Sequence, residues 1–571
     1  MRRFAWYNLL LAALLLTSPL SAPRAQQTRQ TTKQSATATA AANTRALAPA
    51  PTAAMAAART AAERITAAQL KEWLYFVSSD EMAGRDTPSK GLDDTAKFIA
   101  DKLAALKIKP AGDGGTYFQK IELISSKINA AQTSAQLDGR TFKYGEDFLA
   151  GTTSGSVSGE LVYASHGYVI KSKNINAYNG LDVRNKIVIV AAGMMPQGVA
   201  RGELKGKAGE GDWDDATSYA RKNGAKGLIR LPRNFERTWR MGRFMADRDT
   251  YQVARFVSPE SRDGGVPTIL PSAAMIDALF AGERRSGADL LKAIIAGEAG
   301  ESFSLNPNKK LSFNVNSANK TATTQNVIGI LEGSDSKLKK EYVAIGAHYD
   351  HVGVGRPING DSIYNGADDD GSGTVGTLAI AEAFARGARP KRSILFIWHC
   401  AEEKGLWGSE YFAEYPTVPL KQIVTQLNID MIGRSKQPGD TKEANKFLTG
   451  ANEIYVIGSK EMSTELGELS ERINRSYLNL SFNYLYDDPK DTERFFYRSD
   501  HFNYAKKGIP IIFYFDGVHE DYHRPSDTPD KIDYQKMERV TRTVFMTASE
   551  LANAPQRPTV DKPLTPERMN R

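Results

Sequence analysis

His348, Asp369, the pair Glu402 and Glu403, Asp430 and His523 each stand just after an apolar run of strand-like composition, and together they are the ligand types of a two-metal hydrolytic site. Zinc takes imidazole nitrogen and carboxylate oxygen, and two ions about 3.5–4 Å apart need a carboxylate able to bridge them. Asp369, inside N-G-A-D-D-D-G-S-G, is the natural bridge, because the flanking glycines let the backbone turn close to an ion. Two dications bring four positive charges; three ligand carboxylates and a bound hydroxide compensate nearly all of it, as a buried site requires. Glu402, the remaining acid of the pair, is then free to act as general base on the bridging water, whose pKa the metals lower towards about 7.

These residues need a scaffold that gathers them. EYVAIGA ends at His348, RSILFIWHCA at Glu402, VTQLNI at Asp430, and IPIIFYF leads into the loop of His523; β-branched and aromatic residues dominate each run. Helical stretches alternate with them: TVGTLAIAEAFARG, SEYFAEY and, after EIYVIG, STELGELSERINRSY. Alternating strands and helices predict an α/β fold with a mixed, largely parallel central sheet flanked by helices, which binds ligands at the carboxyl ends of its strands.

The motifs G-A-H-Y-D, N-G-A-D-D-D-G-S-G, A-E-E-K-G-L-W-G-S, N-I-D-M-I-G, S-D-H and Y-H-R-P-S-D-T follow one another in the chain. In that order they resemble the signatures of the di-zinc aminopeptidase family, which includes bacterial leucyl-type aminopeptidases, glutamate carboxypeptidase II and glutaminyl cyclases. Upstream, SSDEMAGRDTPSKGLDDTAKFIADKLAALKIKPAG is similar to that family's amino-terminal helix and loop, so the resemblance covers most of residues 66 to 555. It implies a zinc-peptidase/phosphorylase-like fold and two Zn2+ per chain, with His348, Asp369 and Asp430 on one ion and Asp369, Glu403 and His523 on the other. Glu402 matches the general base, Asp350 a carboxylate that orients the His348 imidazole, and the Asp369-Asp370 peptide a cis bond. Tyr497 and Arg498 match less closely, as an oxyanion donor and a substrate contact. Asp368 and Asp370 stay unassigned.

The activity implied is removal of amino-terminal residues from peptides with a free amino terminus. Carboxypeptidase activity of the glutamate type requires arginines for bidentate carboxylate binding, and Ser362–Ala367 has none. A cyclase-like reading fits poorly with a complete set of ligands for two ions. The alternative outside enzymes is a catalytically silent peptide-binding protein, against which the intact Glu402 and ligand set speak.

Of seven histidines, all but His166 lie from His348 onward. His351, His399, His501 and His519 are read as standing outside the ligand set, His399 as a core residue and His501 as support. His519-Glu520-Asp521-Tyr522-His523 spells H-E-x-x-H, a single-zinc pattern that needs a helix. Gly517 before it and Pro525 after it argue against one.

The rest of the chain bounds the function. At 571 residues two folded domains are expected. Residues 1–25 read as a secretory signal peptide: Arg2 and Arg3 precede the apolar NLLLAALLLTSPL, and Ala25 is a plausible cleavage residue. That apolar core is short for a membrane span, so the expectation is a secreted or periplasmic protein with no membrane association after cleavage. Residues 26–65, rich in Ala, Thr, Gln and Pro, read as a disordered linker, within which AAMAAARTAAERI could begin a helix. Residues 66–138 and 310–555 are assigned to the catalytic domain, and 556–571, with the prolines beyond Ala554, to a loose tail. Between 139 and 309, strand-helix patterns around DDATSYARKNGAKGLIRL resemble a protease-associated inserted domain, expected to overhang the site.

Cys400 is the single cysteine, which excludes an internal disulfide; its place in ILFIWHCA reads as buried and inert. No G-x-S-x-G elbow supports serine chemistry. The net charge of +8 is diffuse, and no nucleic-acid partner is expected. The one basic cluster, Arg230 to Arg248 with Phe235, Trp239 and Phe244 interleaved, reads as a solvated loop with buried aromatics. Oligomeric state is not encoded in any of these features.

Overall fold

The apolar runs that carry the candidate ligands become neighbouring strands. In the computed structural model, which describes residues 52–246, 249–257 and 265–569, the strands of the main sheet are β1 (Phe118–Ile128), β2 (Thr250–Val253), β3 (Ser317–Leu331), β4 (Tyr342–His348), β5 (Ser393–His399), β6 (Ile423–Ile429), β7 (Glu453–Ile457), β8 (Ser481–Asn483) and β9 (Ile511–Phe515). Their order is β2-β1-β3-β5-β4-β6-β9-β7-β8, and Lys109–Pro110 adds to β3. The four central strands, β5, β4, β6 and β9, are mutually parallel, while β3 and β7 flank them antiparallel. The sheet is therefore mixed, with its parallel part where the ligands end.

Both faces of that centre are buried, which is why its strands read as continuous apolar runs rather than as alternation. Val343, Ile345 and Ala347 of β4 point to one core and Ala344 to the other; Phe396 and Trp398 of β5 are opposed in the same way by Leu395 and Ile397. The first core is covered by α1 (Thr52–Ala62), α2 (Ala67–Val77), α3 (Lys90–Ala105), α4 (Gly373–Arg386), α6 (Thr464–Ser476) and α8 (Tyr534–Asn553). The second is covered by α5 (Trp407–Glu414) and α7 (His501–Lys506). Ser and Thr caps start several of these helices; Thr66 Oγ1 accepts from Gln69 N–H and Ser89 Oγ from Leu92 N–H.

A second sheet takes its strands from 134–315, with Gly155–Tyr163, Ile187–Ala192, Gly227–Pro232 and Thr268–Pro271 parallel at its centre. It is not a closed insert. Thr250–Val253 leaves it to pair with β1, register Thr250↔Ser126 to Val253↔Leu123, so this stretch becomes the edge strand of the main sheet.

Three expectations need correction. The linker read to residue 65 is helical from Thr52: alanine favours helix, and Ala58, Ala61 and Ala62 bury against α4 and α8. The tail read as loose packs back, burying Leu564 and placing Arg568 against Glu461 and Tyr497. The basic cluster is the helix Phe235–Met245 rather than a loop, with Phe235 buried and stacked on Trp239. The signal peptide at 1–25 and the linker from 26 to 51 lie outside the described residues. Among the described residues, no helix is long and apolar enough to cross a membrane.

Candidate metal centre

Parallel strands end on one rim, and the loops leaving β4, β5, β6 and β9 carry His348, Glu402 and Glu403, Asp430 and His523 to it. Asp369 arrives from the turn Ala367–Ser372 that precedes α4, and its peptide bond to Asp370 is cis. Two groups form. His348, Asp369 and Asp430 make one; His351, Asp369, Glu403 and His523 make the other, with the ligand atoms of each group all within 4.8 Å of one another.

Asp369 belongs to both because its two oxygens face opposite ways. Oδ1 lies 3.3 Å from His348 Nε2, and Oδ2 lies 3.0 Å from His523 Nε2. The turn is held by Asp527, whose Oδ2 accepts the N–H groups of Asp368 and Asp369 at 3.0 and 3.2 Å. Asp430 Oδ1 is 3.6 Å from His348 Nε2, while its Oδ2 accepts from Ser499 Oγ at 2.6 Å; Asn428 in turn donates to that hydroxyl. Glu403 Oε2 is 3.2 Å from His523 Nε2.

The tautomer of His348 follows from its neighbour. Its Nδ1 lies 3.1 Å from the carbonyl oxygen of Asp350, which can only accept, so Nδ1 carries the proton and Nε2 keeps its lone pair for a metal. The expectation for Asp350 is modified here: its main chain orients the imidazole, the carboxylate standing farther off at 3.6 Å, where Oδ1 accepts from the N–H of Glu402. Glu402 itself belongs to neither group. Its Oε2 is 4.0 Å from His348 Nε2.

Burial and crowding set the electrostatics. Burial, then the nearby Glu403 and Asp430, push the Glu402 carboxyl well above the usual range, although His348 opposes the shift. Burial also works against ionised Glu403, yet His523 and His351 overcome it and hold its carboxyl at about 2. Burial would lower His348, but Asp430 and Glu402 hold it well above 6.5; His523, likewise opposed by burial, is raised by Glu403 and Tyr522. A cluster of imidazole and carboxylate donors, closely packed and largely buried, is the donor chemistry zinc takes.

The other expected residues separate clearly. His519 is buried against Asp368, 3.3 Å from its Oδ2, and Glu520 pairs with Lys442 at the surface, so H-E-x-x-H forms no single-zinc site. Residues 520–523 form turns, and His523 has φ 54°. His399 is core, 3.0 Å from Tyr504 Oη, and His501 lies 2.9 Å from the carbonyl of Phe496, its pKa lowered by burial to about 4. Cys400 is buried. His351, read as standing outside the ligand set, lies with the second group, its Nδ1 2.8 Å from Glu403 Oε1.

The Tyr497 hydroxyl accepts from Arg568 Nε at 2.9 Å. Arg498 lies with its guanidinium over the Phe495 ring. The phenol in the field of Asp369 and Glu403 is that of Tyr522, stacked on His523 with ring centroids 3.9 Å apart. Sequence reading did not single it out, and its adjacency to His523 is the signal that could have found it.

Residues 326–548 match the model of peptidase family M28. A probable leucine aminopeptidase of Arthroderma benhamiae is 27% identical over 234 residues, covering 39% of this chain and 57% of that one. Leucine aminopeptidase 2 of Arthroderma otae is 26% identical over 280 residues, covering 44% of this chain and 50% of that one. The chain thus spans about half the length of these relatives. Among solved structures, the aminopeptidase from Aneurinibacillus sp. strain AM-1 shares the fold at a TM-score of 0.50 and 19% identity, covering 88% of this chain and 98% of that one.

Proposed function

We propose that this protein is an exported zinc aminopeptidase that holds two ions and removes residues from peptides with a free amino terminus. The observation that carries the reading is Asp369, which offers one oxygen to each of two ligand groups. His348, Asp369 and Asp430 would hold one ion, and Asp369, Glu403 and His523 the other. Bound zinc would supply Lewis acidity towards a peptide carbonyl and towards water.

The chain supplies the rest. Glu402, outside both groups and with its carboxyl raised by burial, takes the proton of the attacking water and returns it to the amine as the carbon–nitrogen bond breaks. Tyr522 stays a neutral donor because burial raises its phenol, and its stacking on His523 supports a role in hydrogen-bonding the oxygen that gains charge. The acid-rich rim of Glu402, Glu403 and Asp430 suits an ammonium group at the substrate's first residue. The region 139–309 borders this rim: the phenol of Tyr251 in β2 lies in the field of Asp86 and Lys404, the residue after Glu403, which supports a role in limiting access.

The test is metal analysis of the purified protein, together with hydrolysis of aminoacyl chromogenic substrates and their acetylated counterparts. Two zinc ions and turnover of the free amines alone are expected. One ion at saturation would count against the pair, and equal turnover of acetylated substrates would overturn the aminopeptidase assignment.

A further inference from the structure

The two carboxylates that each serve one ligand group divide their oxygens in the same way. Asp430 turns Oδ1 to His348 Nε2 and has Oδ2 held by the Ser499 hydroxyl. Glu403 turns Oε2 to His523 Nε2, and its Oε1 lies 2.8 Å from His351 Nδ1. An ionised carboxylate can only accept, so Nδ1 of His351 carries a proton and donates it, and a nitrogen committed in this way has no lone pair for a metal.

The imidazole is set in a built seat. The main-chain N–H of His351 donates to the carbonyl of Arg85, and the buried Arg85 guanidinium donates to the carbonyls of Val77, Tyr349, Asn365 and Gly366. Gly366 leaves the space for the ring: a Cβ there would lie 2.5 Å from His351 Cγ and Cδ2. The seat holds the main chain that carries the ring, and the ring's Nδ1 reaches Glu403.

We infer that His351 is a positioning residue that holds Glu403 to single-oxygen ligation, and thereby sets the affinity of the second ion without binding it. The inference rests on the two-metal reading above. It assigns to His351 the task that Ser499 performs for Asp430, with a charge-assisted bond in place of a hydroxyl's.

The experiment measures zinc binding by competition with a chromogenic chelator, and the absorption spectrum of the cobalt-substituted protein, for the wild type, H351A and H351N. Asparagine can place an N–H where Nδ1 stands but is a poor zinc ligand. H351A should weaken the second ion by about 10–100-fold and leave the first unchanged. H351N should restore most of that affinity and keep the wild-type cobalt spectrum. If alanine prevents folding, as judged by the melting transition, H351L fills the same volume without a donor and takes its place. Unchanged affinity for the second ion in the alanine or leucine variant would overturn the inference. So would an asparagine variant that loses the ion as completely and changes the cobalt spectrum, since that marks His351 as a ligand. A wild type that binds no stoichiometric metal would instead overturn the metal-site reading itself.

Discussion

Replacing Glu402 with glutamine separates proton transfer from metal binding. The carboxylate lies outside both ligand groups, its Oε2 4.0 Å from His348 Nε2, and the bond from its N–H to Asp350 is a main-chain contact that the substitution keeps. Glutamine preserves volume and one acceptor oxygen but cannot take a proton. The loss should therefore appear in kcat at about 10²–10⁴-fold, which corresponds to about 2.7–5.4 kcal/mol of transition-state stabilisation. Stability should hold or rise, because burial and the neighbouring Glu403 and Asp430 disfavour a second charge at this position. The assay is steady-state hydrolysis of an aminoacyl p-nitroanilide, run beside metal analysis and thermal melting. Glu520→Gln is the control, since Glu520 pairs with Lys442 at the surface. Near-wild-type turnover in E402Q, or loss of metal from it, would refute the reasoning; a dead E520Q would restore the H-E-x-x-H reading.

Asp369→Ala should abolish binding of both ions and His523→Ala should weaken one, as read by metal content after dialysis; equal losses from the two variants would contradict a bridging role. Zinc binding should release protons. His348 and His523 are held above their ordinary pKa in the metal-free protein, so near neutral pH they carry protons that ligation must displace. Apparent affinity should therefore rise with pH through the neutral range and fall in acid. Calorimetry in buffers of different ionisation enthalpy checks this, and a binding heat independent of the buffer would refute it.

What was legible in the chain was whatever a strand end dictates. His348, Asp430 and the Glu402–Glu403 pair follow buried runs whose composition marks them as central strands, and parallel strands necessarily present their ends together. The contact of His351 with Glu403 has no local signal, because His351 lies beyond the end of β4, in a loop held by Arg85, some 260 residues earlier in the chain and buried among carbonyls that no local pattern reveals. Tyr497 is legible from its place beside S-D-H, while its contact with Arg568 in the tail has no local signal. That same contact shows why a proline-containing tail was misread: composition reports on local stiffness, and Leu564 and Arg568 are fixed by surfaces remote in sequence. The crossing of Thr250–Val253 into the main sheet is a similar case, since a four-residue strand does not declare which edge it will join.

The buried charges fall into two tiers, and the division accounts for how so many acids coexist. In the outer tier the chain supplies its own cations: Arg434 pairs with Asp521 and stands 3.7 Å from Asp527, and Lys536 lies buried with its ammonium on the carbonyl of Arg434. Asp370 sits between the tiers, pushed well above the usual range by burial and by Asp430, its Oδ1 accepting from Gly373 and Met431. The inner tier of Asp369, Glu402, Glu403 and Asp430 faces His348, His351 and His523. Two of these imidazoles must give up their protons to ligate, so the chain's own positive charge there falls as the site becomes competent. Three ligand carboxylates leave two dications with one positive charge, and the negative charge that completes the balance rests on Glu402, the group whose task is to accept a proton. The outer network matters for this reason: by neutralising Asp521 and Asp527 within the protein, it leaves the inner carboxylates as the charges that a metal pair compensates.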